Sequence, residues 1–232
     1  MSNINRPRRG LLDGLANVIG DMYRTPAEAG TRLTTASGDS AVVPEHAEPA
    51  PAPAAEPVYA ARPALPDFRD LWKTADETID WTEALSSRTP TDGLTDPEKW
   101  TLYHEQAASV LHGDTAAYLT VLKAANPMAD LMPFVSALDV STRSSDELRA
   151  VFAVRPDLLE NDARHYLSGM ALRIARDLFA VLPVTRVVVR GEQDEKPLLT
   201  VSFERSEMNK VRFTFIDPAA FVMTCGGEFA GV

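Results

Sequence analysis

LLENDARHYLSGMALRIARDLFAVLP, residues 158–183, is the stretch on which the fold turns. Leu159, Ala163, Tyr166, Met170, Ile174, Leu178 and Val181 recur every three or four residues, which makes one apolar stripe along a helix. Pro183 marks its end. Three short runs with period-two alternation follow: VTRVVVR (184–190), LLTVSFER (198–205) and KVRFTFI (210–216). In the second, Leu199, Val201 and Phe203 oppose Thr200, Ser202 and Glu204. In the third, Val211, Phe213 and Phe215 oppose Arg212 and Thr214. One apolar face and one polar face predict a three-stranded antiparallel sheet covered on one side by the preceding helix. The expected class is α+β, with a helical N-terminal layer before the long helix and its sheet. The uncovered face would gather Arg186, Val188, Arg190, Thr200, Ser202, Arg212 and Thr214. Arg186, Arg190 and Arg212 are the partner-contact residues that this arrangement predicts.

Upstream, residues 67–156 read as mainly helical. FRDLWKTADETIDWTEALSS brings Phe68, Leu71, Trp72, Ile79, Trp81 and Leu85, an aromatic density that means packing against the core. Asp96-Pro97-Glu98 starts a helix, with Asp as N-cap and Pro at the first helical position. That helix carries Trp100, Tyr103, Ala107, Val110 and Leu111 and stops at Gly113. A second one restarts at Asp114 or Thr115 and ends at Asn126-Pro127. MADLMPFVSALDV is a further apolar piece, and Ser145 is the expected N-cap of a short helix in STRSSDELRAVFAV. After residue 216, Asp217-Pro218 opens one or two helical turns and a Gly-rich tail, 217–232.

The N-terminal region reads differently. Residues 34–66 are rich in Pro and Ala and poor in aromatics, the composition of a disordered, semi-extended spacer. Residues 1–33 are a basic arm. Arg6, Arg8 and Arg9 precede LLDGLANVIGDMY, in which Leu11, Leu15, Val18, Ile19 and Met22 line one side of an amphipathic helix. Gly14 and Gly20 weaken it by about 1 kcal/mol each relative to Ala, so the stripe needs a surface. That surface is a protein, its own body included, or a lipid headgroup layer reached by Arg8 and Arg9. Arg8-Arg9-Gly10-Leu11-Leu12 resembles the core of a twin-arginine export signal, but Asp13, Asn17, Asp21 and Arg24 interrupt the apolar region that such a signal requires.

Charge excludes some functions. The chain has 232 residues and a net charge of −10. Residues 1–35 hold five Arg against three acids, a net of +2, whereas the region from 67 onward is strongly acidic. Such a body lacks the Lys and Arg that displace counterions from phosphates, so nucleic acid is not an expected partner. A single cysteine rules out an intramolecular disulfide and a cysteine-based zinc site. Arg exceeds Lys and alanine is abundant, as in proteins of GC-rich bacteria, and the expected compartment is the cytoplasm, with peripheral membrane contact through the arm as the alternative.

Catalytic and metal motifs fail on spacing. His104-Glu105 would begin a zinc-protease helix, but position 108 is Ala. His112 lies eight residues from His104, ~12 Å along a helix, too far to share an ion. Cys225 would need a neighbouring base such as His165. No metal, cofactor or catalytic residue is expected.

Three families are similar in part. The 97–127 hairpin resembles a tetratricopeptide unit, with a weaker second copy at Leu148, Val151, Ala153 and Pro156. The helix followed by three strands resembles the opening of the PD-(D/E)xK nuclease core. That likeness implies magnesium-binding acids, but Asp157, Asp194, Glu195 and Asp217 all fall outside the required strand positions. The same order resembles the first half of acidic bacterial secretion chaperones, which implies binding of protein segments on a sheet face. The expected function is a non-enzymatic accessory, adaptor or chaperone-like protein tethered by its arm, with a hydrolase or nuclease as the alternative.

Overall fold

The computed structural model describes residues 67–88 and 96–232, so the arm and linker lie outside the described residues. The helical hairpin forms where its caps predict, and a short helix precedes it. In α1 (Trp81–Ser86), α2 (Pro97–Leu111) and α3 (Thr115–Ala125), the N-cap carboxylates of Asp80, Asp96 and Asp114 accept from first-turn backbone N–H groups. These bonds satisfy donors that a helix start leaves without partners. Asn126 closes α3 in the left-handed region at φ 46°, and Pro127 prevents its continuation.

A β-hairpin comes next, a departure from the expected short helix. β1 (Val135–Thr142) and β2 (Glu147–Val154) pair antiparallel. Ser145 is no N-cap. Ser144 Oγ accepts from Asp146 N at 3.2 Å and Arg143 N donates to Glu147 O at 3.0 Å, so Ser-Ser-Asp-Glu closes a hairpin turn. The second tetratricopeptide copy falls with it, because Leu148, Val151 and Ala153 belong to β2.

The long helix α4 (Pro156–Val181) joins β2 to a parallel neighbour, β3 (Arg186–Gln193), which forms a hairpin with β4 (Lys196–Glu204). Within α4, Asp162 leaves helical dihedrals and its carboxylate accepts from His165 N. The sheet therefore has five strands in the order β1-β2-β3-β4-β5 with one parallel pair, where three antiparallel strands are expected from sequence. The α+β class stands. KVRFTFI is not a strand. It follows a short helix α5 (Arg205–Met208) and coils into a single turn, Phe213–Phe215. The outer neighbour of β4 is β5 (Glu228–Phe229), delivered by α6 (Pro218–Thr224). Phe213 is captured instead by the segment before α1: Trp72 Nε1 donates to its carbonyl, and Arg176 sits 4.2 Å over its ring. Phe215, expected in the core, is 83% exposed.

One sheet face is dry. Leu138, Val140, Leu148, Ala150, Phe152, Val187, Val189, Val201 and Phe203 are buried there beneath α4 and its neighbours. The whole run Tyr166–Val181 of α4 is buried except Arg176, so the helix is covered on all sides rather than along one stripe. Tyr166 donates to the Phe134 carbonyl and accepts from Arg155 N, and burial pushes its pKa up to about 12. Gly191 marks a tight point within the sheet. It pairs across β2 with Phe152, whose ring atoms lie 2.6–3.1 Å from where a Cβ would stand.

Two substitutions test this packing. Gly191→Ala forces the Phe152 ring aside and is expected to cost about 1–3 kcal/mol, the range for overpacking, read by urea denaturation. Ser168 is fully buried on α4, and its hydroxyl has no partner among the described residues. Ser168→Ala is expected to be neutral or to stabilise by about 1 kcal/mol, since it removes an unsatisfied polar atom.

Candidate functional site

Residues 67–80 form a largely irregular strap along α4, and polar groups on the helix hold it there. Arg173 is 4% exposed and Asp177 is fully buried. From sequence these i, i+4 residues belong to a solvated face. The structure corrects this, because the strap covers them. Arg173 Nε contacts both Asp177 oxygens at 3.0 and 2.8 Å. Its other nitrogens donate to Thr74 Oγ1 at 2.5 Å and to Asp130 Oδ2 at 2.9 Å. Asp177 Oδ1 also accepts from Asp76 N at 2.9 Å. Arg176 donates to the carbonyls of Trp72 and Thr74. Farther on, Ile79 N donates to Ala180 O, and Trp81 Nε1 donates to Val181 O at 2.9 Å.

Beyond the strap, a cleft of about 850 Å³ opens between it, α1, the start of α2 and the turn after α3. Ile79, Ala84, Tyr103 and Val181 give it an apolar lining. Tyr103 is fixed edge-on against Trp81 at 5.6 Å. Among the described residues the charged lining is Asp76, Glu77, Asp80, Glu83, Asp96 and Asp130, six carboxylates against the single cation Lys99. Asp80 and Asp96 are committed as helix caps, and Asp130 pairs with Arg173. Asp76, Glu77 and Glu83 remain to face a ligand. Burial raises the pKa of Asp76 against the opposing pull of Arg173, and burial with the neighbouring Asp76 and Asp96 raises that of Tyr103. Among the described residues, no group of three or more His, Cys, Asp or Glu is placed to hold a metal ion.

The residues expected from sequence do not assemble into one surface. Arg186 and Arg190 lie on the outward sheet face, but each is paired: Arg186 with Glu204 at 2.6 Å and Glu147 at 3.7 Å, Arg190 with Glu192 at 3.1 Å. Arg212 is off the sheet, in the segment before the Phe213 turn. Arg8, Arg9, Leu11, Leu15, Val18, Ile19 and Met22 lie outside the described residues. His104 donates from Nδ1 to Ala84 O at 2.7 Å and stacks on Trp100, so it joins α1 to α2. His112 and His165 likewise donate to backbone carbonyls. The Cys225 thiol is pushed up by burial and by Glu207, the opposite of what a nucleophile needs. No described helix is long and apolar enough to cross a membrane.

No sequence motif announced the cleft. Its carboxylates come from four segments between residues 76 and 130, and the one local signal was the acidic run ADETID beside Trp72 and Trp81. No family model matches this chain, and no curated protein or solved structure matches it either.

The buried pair makes stability depend on pH. Burial outweighs Arg173 and pushes Asp177 up to about 7 from an ordinary 3.8. Between those values the native state binds a proton that the unfolded chain does not, so this group's contribution to stability rises as pH falls from 8 toward 4 and is lost above 7. Melting temperatures of the parent and of Asp177→Asn at pH 8.0 and 5.5 check this. The rise on acidification is expected to be larger in the parent, and equal slopes would refute the assignment.

Proposed function

We propose that this protein is a non-enzymatic adaptor that recognises a basic segment of another protein in the acidic cleft. The observation that carries this reading is the cleft itself, in which six carboxylates and one lysine surround an apolar floor. A Lys- or Arg-bearing segment with one apolar side chain is the complement of such a lining. The cation meets Asp76, Glu77 and Glu83, and the apolar group meets Ile79, Ala84 and Tyr103. A low-dielectric floor strengthens these charge interactions relative to open water, and charge complementarity raises the encounter rate and selects against acidic partners. The partner stays intact in this reading.

Basic peptides of random sequence, one Phe or Leu among Lys and Arg, provide the test by calorimetry or fluorescence anisotropy. Binding is expected to weaken as salt rises, because much of it is charge attraction. Glu77→Lys with Glu83→Lys is expected to lower affinity at least tenfold while leaving the melting temperature nearly unchanged, since neither side chain holds the fold. Equal binding by the double variant and the parent would refute the cleft as the recognition site.

A further inference from the structure

The chain carries its own basic segment. Arg6, Arg8 and Arg9 put three cations within four residues, a density that no other stretch of the sequence reaches. Residues 1–12, MSNINRPRRGLL, contain no acid, and Leu11 and Leu12 follow the arginines almost directly. Pro7 fixes its own φ and disfavours the α region at Arg6. Gly10 costs a helix about 1 kcal/mol relative to Ala. The sequence therefore predicts an extended run over residues 6–10, with its cations a few ångströms apart and an apolar pair at its end. In the cleft, the caps and Arg173 leave Asp76, Glu77 and Glu83 for a ligand, beside the floor of Ile79, Ala84 and Tyr103.

We propose that residues 6–12 of the same chain occupy the acidic cleft as an internal pseudo-ligand, so that a partner's basic segment enters only by displacing them. The proposal rests on the cleft being a site for basic segments, and three observations select this occupant. The first is charge: Arg6, Arg8 and Arg9 bring +3 to a lining of six carboxylates and one lysine, a net of −5. The second is the apolar match, since Leu11 and Leu12 supply the side chain that the floor of Ile79, Ala84 and Tyr103 receives. The third is where the tether joins the body. Residues 10–66 lead into the strap that forms one wall of the cleft, and Asp76 and Glu77 follow shortly after Asp67. A flexible chain of that length has an average span of roughly 40 Å, comparable with a body roughly 30 Å across, so the arm samples the cleft at an effective concentration on the order of 1 mM. An arm with a Kd of about 0.1 mM at that concentration fills about nine clefts in ten and lowers a competing segment's apparent affinity about tenfold.

Peptide binding to the full chain tests it, with a labelled peptide of Lys and Arg around one Phe as the probe and fluorescence anisotropy as the readout. The triple variant Arg6→Ser, Arg8→Ser, Arg9→Ser leaves residues 67–232 unaltered and is expected to bind the probe at least tenfold tighter than the parent. That gain is expected to vanish when Glu77→Lys and Glu83→Lys are added. A peptide of residues 1–12 is expected to compete with the probe for the triple variant. Equal affinity of parent and triple variant, both binding the probe, would overturn the internal contact and leave the cleft as a site for basic segments. Failure of the triple variant to bind the probe would overturn both. A gain that survives Glu77→Lys and Glu83→Lys would seat the arm elsewhere and overturn the contact, as would failure of the 1–12 peptide to compete. Gel filtration completes the test. A dimer formed by the parent and not by the triple variant would make a second copy's cleft the seat, which overturns an intramolecular contact too.

Discussion

A helix buried on every side must pair whatever charge it carries, and α4 carries Arg173 and Asp177 in its buried run. Much of the architecture is organised around that requirement. The strap of residues 67–80 has little regular secondary structure of its own, yet it packs along the helix because Thr74, Asp76 and the backbone carbonyls of Trp72 and Thr74 complete the bonding of Arg173, Asp177 and Arg176. Asp130 joins from the turn after α3, so one guanidinium gathers three segments that are distant in sequence. A buried ion pair is a modest source of net stability, since desolvation offsets most of the attraction, but breaking one partner away is costly. Its effect here is to fix where the strap runs.

That placement creates the cleft. The strap carries Asp76, Glu77 and Asp80 along the C-terminal end of α4, and α1 follows with Glu83 facing Lys99 and Tyr103 of α2 across the opening. The clamp and the cleft share residues: Asp130 pairs with Arg173 on one side and lines the cleft on the other. The two faces of the sheet divide the remaining work. One is sealed by α4, and the other interleaves small side chains with arginines, of which Arg186 and Arg190 are paired with glutamates.

Much of the fold was legible in the residues because the information was local. The caps Asp96 and Asp114 and the Asn126-Pro127 stop are chemistry within a few positions, and the β3–β4 hairpin follows from alternation over two adjacent runs. The misreadings have equally physical causes. Ser144-Ser-Asp-Glu147 is compatible with a helix cap and with a hairpin turn, and its pairing partner, β1, lies on the other side of the turn. KVRFTFI has a strand's alternation, but Trp72 and Arg176 capture Phe213 and β5 occupies the edge of β4. The site was least legible of all, because Asp76, Glu83, Asp96 and Asp130 share no spacing.

The sequence by itself determined the α+β class, the helical hairpin, the long apolar helix and the acidic balance of the body. Each is a property of composition or of periodicity over neighbouring residues. Only the tertiary structure decided which strands share the sheet, that Arg173 and Asp177 are buried, that Arg186 and Arg190 are neutralised by glutamates, and that dispersed carboxylates converge on one cleft. Periodicity says which side of an element is apolar. What covers that side, and what the cover brings with it, depends on contacts between residues a hundred positions apart, such as Asp76 with Asp177.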